Sequence, residues 1–104
     1  MGLFDFFKNS DVEKINGVEF PKFDAKVIGK EGRNKPNYKR INYYYKPEES
    51  IKLPEYISKV SSYGFIKKTD VRYENANGDY IIVDPNYTDT WKNNELHIAF
   101  HAKK

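Results

Sequence analysis

Along residues 53–63, apolar side chains fall at Leu53, Tyr56, Ile57, Val60 and Tyr63, the spacing of one helix face. Pro54 suits the first turn of that helix, Glu55 its positive N-terminal end, and Gly64 a left-handed cap. Elsewhere the pattern has period two. From Arg40 to Lys46, Ile41, Tyr43 and Tyr45 share one face, with Asn42 and Tyr44 on the other. Near the end of the chain Leu96, Ile98 and Phe100 alternate with His97, Ala99 and His101, predicting a half-buried strand with both histidines on its solvent side. Tyr80-Ile81-Ile82-Val83 is apolar on both faces and predicts a central strand.

The connecting stretches complete the order. Residues 1–9 carry Leu3, Phe4, Phe6 and Phe7 on one side and predict a short amphipathic helix that docks on the domain or extends from it. Ser10, Asp11 and Glu13 suit a capped turn ended by Asn16-Gly17. Val18 to Ile28 reads as an extended stretch interrupted by Pro21, hence an edge or a bulge. Gly29 to Asn37, with two glycines and a proline, predicts a loop, so the two flanking strands form a hairpin with a basic tip. Pro47-Glu48-Glu49-Ser50 breaks the second of these strands. Phe65 begins a return strand running through Val71 to Glu74, and residues 75–79 turn it into the next. Asp84 to Asn94 reads as a polar loop holding Trp91. The expected architecture is α+β over one domain, residues 1–104. It is an antiparallel sheet of about five strands packed by one main helix (residues about 53–63), plus the short N-terminal helix.

Composition supports the β-rich reading. Nine Ile, six Val, nine Tyr and seven Phe stand against three Leu and four Ala, and β-branched and aromatic side chains suit a pleated, half-buried surface. The chain of 104 residues has no cysteine, which removes disulfides, thiolate zinc sites and cysteine nucleophiles. No apolar run is long enough to span a bilayer, and the N-terminal segment lacks the features of a secretory signal, so a cytoplasmic location is expected. Membrane contact is expected only if residues 1–9 present their aromatics to a lipid surface.

Charge changes the picture more than its total of +3 implies. Between Lys26 and Lys46 lie seven basic residues and one acid, whereas Asp70 to Glu95 holds six acids and two bases. Segregation of this kind steers an oppositely charged partner.

Specific chemistry is sparse. His97 and His101 have the spacing of metal ligands on a helix, but on a strand they stand about 13 Å apart, too far to share one ion. Asp84 to Glu95 puts oxygen-bearing side chains at several positions of a calcium loop, with Asp89 where glycine is needed and Lys92 among the ligands. Neither pattern makes a metal site, and no cofactor is expected. Gly29-Lys30-Glu31-Gly32 resembles the GxxG loop of KH nucleic-acid-binding domains, a resemblance that implies backbone contacts to phosphates; Pro36 forbids the helix that follows it there. No nucleophile elbow, P-loop or dinucleotide fingerprint occurs, and catalysis is not expected. The expected function is therefore binding, most simply of another protein, in the manner of inhibitors, immunity proteins or adaptors. The candidate binding residues are Arg33, Lys35, Tyr38, Arg40 and Tyr44, with Trp91 as a further anchor. The competing expectation is single-stranded nucleic acid, with phosphates on Lys30–Lys46 and bases stacked on tyrosines. Pairing of two copies through an edge strand at Val18–Ile28 would give a homodimer.

Overall fold

The computed structural model describes residues 11–104; the N-terminal helix expected at residues 1–9 lies outside them. The element order is β1 (Val12–Ile15), β2 (Val18–Pro21), β3 (Gly29–Lys35), β4 (Tyr38–Tyr45), a 3-10 helix (Pro47–Lys52), α1 (Leu53–Ser62), β5 (Ile66–Lys67), β6 (Arg72–Glu74), β7 (Tyr80–Thr88) and β8 (Asn94–Lys103). Mixed α and β structure with antiparallel pairing is as the pattern implied. The strand count is not. Six strands form one sheet in the order β3-β4-β8-β7-β6-β5, and β1-β2 is a separate hairpin.

Two differences have plain causes. Asn16-Gly17 turns a hairpin, with φ of 51° and 82°, instead of ending a helical turn, because both positions of a two-residue hairpin turn of this kind require positive φ. Gly29 to Lys35 is a strand, not a loop. An edge strand needs backbone pairing but no buried side chains, and all seven of its residues pair with β4 while six are exposed. The resemblance to a GxxG loop ends there, since Gly29 and Gly32 sit within that ladder.

The helix is where its spacing put it. Tyr56 and Val60 are buried, Leu53, Ile57 and Tyr63 pack around them, and Gly64 closes the end at φ 89°. Helix and hairpin together cover one sheet face. Phe20 of β2 is fully buried, with its ring centroid 5.5 Å from Phe65 and 4.9 Å from Phe100. Phe23 meets Tyr45 and Tyr56 edge-on, and the Tyr56 hydroxyl donates to the Pro21 carbonyl at 2.7 Å. The Tyr43 hydroxyl donates to Glu13 Oε1, joining β4 to β1. Ile81, Val83, Leu96, Ile98, Phe100 and Ala102 fill the floor beneath, on the face predicted by alternation.

Asp84 to Asn94 is mostly strand as well. β7 continues to Thr88 through a bulge between Asp84 and Tyr87, leaving a tight turn over residues 89–93 that the Asp89 carboxylate organises by accepting from the Trp91 and Asn93 amides. The spacing of a calcium loop is thereby broken up among two strands and a turn.

Candidate binding face

The opposite face of the sheet is covered by none of the described elements. Alternation and register decide what it carries. β4 contributes Tyr38, Arg40, Asn42 and Tyr44; across from Arg40 and Tyr44, β8 contributes His101 and His97. β7 adds Tyr80 opposite His101 and Asp84 opposite His97. On the other side, β3 sets Arg33 opposite Arg40, Glu31 opposite Asn42 and Lys35 opposite Tyr38.

These side chains form two aromatic rows. In the first, His101 lies between Tyr38 at 4.4 Å and Tyr80 at 4.3 Å, both nearly parallel to it, and the Arg72 guanidinium lies 3.8 Å from the Tyr80 ring centroid on the next strand. Arg72 is held there by Glu74, whose carboxylate oxygen is 2.7 Å from its Nε. In the second row Tyr44 stacks on His97 at 4.9 Å, and Tyr87 tilts against both. Gly29 lies against the Tyr44 ring, where a Cβ would sit in ordinary contact with its Cδ2 at 3.4 Å.

Between the rows runs a polar bridge. Arg40 donates from Nε to Asn42 Oδ1 at 3.1 Å and from Nη1 to the Tyr80 hydroxyl at 3.2 Å. His97 Nε2 is 3.0 Å from the same Asn42 oxygen. An oxygen that already accepts from Arg40 can only accept again, so His97 carries its proton on Nε2. Burial, and then the Arg40 charge, push the His97 pKa down to about 4, against the opposing pull of Asp84 and Glu31. His101 is lowered for the same two reasons, with Arg72 adding to the effect. Tyr44 is pushed up to about 12, chiefly by burial and then by Tyr87. At neutral pH both histidines are uncharged, and their rings serve as stacking members.

Four of the six sequence-derived candidates, Arg33, Tyr38, Arg40 and Tyr44, line one shallow groove of about 330 Å³ together with Glu31, Asn42, Tyr87 and His97. Lys35 shares the face but not the groove. Trp91 belongs elsewhere: it is 81% exposed in the turn between β7 and β8, at the other end of the sheet from the turn between β3 and β4. Asn42, Tyr80, Tyr87, His97 and His101 are the members that the sequence reading did not select as site residues.

Six basic side chains gather at one end of the sheet. Tyr38 pairs with Lys103, and the Lys104 amide donates to the Asn37 carbonyl at 3.0 Å, so Lys103 and Lys104 join Arg33, Lys35, Lys39 and Arg40 at one end. Asp84, Asp89 and Glu95 lie toward the other, Asp84 about 20 Å along β8 from Lys103, whereas Asp79 of the same acidic stretch accepts from the Lys103 amide at the basic end. Among the described residues no three His, Asp or Glu side chains converge as metal ligands, and no helix is long and apolar enough to cross a membrane. Comparison with protein-family models, curated proteins and solved structures finds no match.

Proposed function

We propose that this domain is a non-catalytic binding module whose open sheet face, centred on Tyr38, Arg40 and Tyr44, engages another protein. The observation that carries the reading is the direction of the rings. In the row Tyr38–His101–Tyr80–Arg72 each inner ring has both faces occupied by neighbours. Such a surface offers ring edges, hydroxyls and guanidinium groups. A nucleobase stacks on ring faces, and those of His101 and Tyr80 are already used; a protein surface can meet edges and hydroxyls with carbonyls, carboxylates and aliphatic groups. The rows also fix the side chains before binding, so little rotamer entropy is lost on contact. The basic cluster at one end of the face would orient the encounter with an acidic partner.

Single-stranded nucleic acid is the competing reading, favoured by the basic cluster that Lys103 and Lys104 complete. Two measurements separate them. Affinity capture from the source lysate is expected to retain a defined protein with the native chain and with Lys59→Glu on the covering helix, and to lose it with Arg40→Glu/Tyr44→Ala. Fluorescence anisotropy of a labelled single-stranded oligonucleotide is expected to stay flat at low and high salt. Equal retention by the face variant overturns the protein reading, and salt-sensitive oligonucleotide binding replaces it with the nucleic-acid one.

A further inference from the structure

Among the described residues the outer edge of β3 is the long unpaired edge of the sheet; the other edge strand, β5, is only two residues. Lys30, Glu31, Arg33 and Lys35 blunt this edge against indiscriminate pairing, and leave it a template only for a strand that matches them charge for charge. The strand holds two anomalies that its own fold does not account for. Gly32 lies in the strand interior without positive φ, and a Cβ there would meet nothing within 4 Å. Among the described residues neither conformation nor packing calls for glycine there; at the centre of a self-paired edge, where a residue faces its own copy, glycine sets no side chain against itself. The second anomaly is Arg33, set directly opposite Arg40 on the open face, a like-charge pair that is unfavourable across a ladder. Among the described residues neither arginine has a carboxylate within ion-pair distance.

We propose that β3 pairs antiparallel with β3 of a second copy of this chain, centred on Gly32. A two-fold axis between antiparallel copies of one strand stands perpendicular to the sheet and keeps each residue on its own face. Only registers centred on a residue satisfy this. Centring on Gly32 pairs all seven residues, Gly29 to Lys35, and sets Glu31 opposite the partner's Arg33, and Arg33 opposite the partner's Glu31. Lys30 then faces the partner's Asn34. The alternatives are worse: centring on Lys30, Glu31 or Arg33 opposes each to its own copy, and centring on Asn34 opposes Arg33 to Lys35. In the chosen register Arg33 lies between Arg40 and the partner's Glu31, which relieves the like-charge pair. The stretch expected as an edge strand at Val18–Ile28 holds only the four-residue β2, Val18–Pro21, paired with β1, a shorter template than the seven residues of β3. The proposal is independent of what the open face binds.

Sedimentation velocity of the full chain over a wide concentration range tests it. The native chain is expected at twice the chain mass, dissociating on dilution. Arg33→Glu opposes two carboxylate pairs and is expected to weaken the dimer on the order of tenfold or more. Within the protomer the same change places Glu opposite Arg40, so thermal stability should not fall, and loss of the dimer cannot be attributed to misfolding. The charge swap Glu31→Arg/Arg33→Glu is expected to restore dimerisation. A native chain that sediments as a monomer throughout overturns the proposal, as does an Arg33→Glu dimer of native strength or a swap that fails to restore pairing.

Discussion

Acid should unfold this domain partly through one ring. His97 is 7% exposed, stacked on Tyr44 and bonded to Asn42, and has its pKa lowered from 6.5 to about 4. The unfolded ring takes a proton near its ordinary value and the folded ring resists it. Between about pH 6.5 and about pH 4 the unfolded state therefore binds more protons, and stability present above that window is lost as pH falls through it. At about 1.4 kcal/mol per pH unit the ceiling is about 3 kcal/mol. Water reaching the ring from the shallow groove lowers this to about 2 kcal/mol. The hydrogen bond to Asn42 is not the cause, because a protonated imidazole still donates from Nε2. Burial and the Arg40 charge are. His97→Gln keeps a donor for Asn42 without a titrating group, so its stability curve should be flatter across the window, leaving mainly the smaller contribution of His101. Urea unfolding of both chains at intervals through the window measures the difference. Parallel loss of stability in the two chains would refute the reasoning.

Two stability measurements examine the rest of the scaffold. Phe20→Ala removes the fully buried ring that ties the β1-β2 hairpin to Phe65 and Phe100, and is expected to cost about 3–5 kcal/mol in urea unfolding. Asp79 is buried, accepts from the Lys103 amide at 2.8 Å and from Asn75 Nδ2 at 3.1 Å, and so pins the end of β8; Asp79→Ala should cost about 1–3 kcal/mol and speed hydrogen exchange at the Lys103 amide.

What the sequence revealed follows from where side chains are buried. Ile41, Tyr43 and Tyr45 point into the core and Leu96, Ile98 and Phe100 do too, so β4 and β8 declare themselves by alternation. β3 does not, because Glu31, Gly32, Arg33 and Asn34 bury nothing; its existence depends on pairing with β4. The hairpin of β1 and β2 was hidden by shortness, four residues a side, although Asn16-Gly17 announced a turn. The same logic divides the site. Tyr38, Arg40 and Tyr44 come from one local stretch whose charge and aromatics drew attention. His97 is 55 residues from Asn42, and reading it as a solvent-facing histidine put it on the correct face while missing its burial. Its cover comes from Tyr44 and Tyr87, neighbours that only the strand order β4-β8-β7 supplies.

Edge pairing and the open face are linked by the direction of one axis. A two-fold perpendicular to the sheet keeps both open faces on the same side, so a β3 dimer is a continuous twelve-stranded surface with two copies of each aromatic row. The basic clusters of the two copies would lie at opposite ends of the shared edge, because the strands run antiparallel. The pairing would thus give an assembly with one basic cluster toward each end. A partner with two acidic contacts could engage both basic ends at once, and its second contact would form intramolecularly, strengthening the complex without any new kind of contact. Arg40 and Arg33 divide the labour in that arrangement. Arg40 is bonded into the rows of the open face through Asn42 and Tyr80, whereas Arg33 stands one strand further out, where a second copy brings its carboxylate.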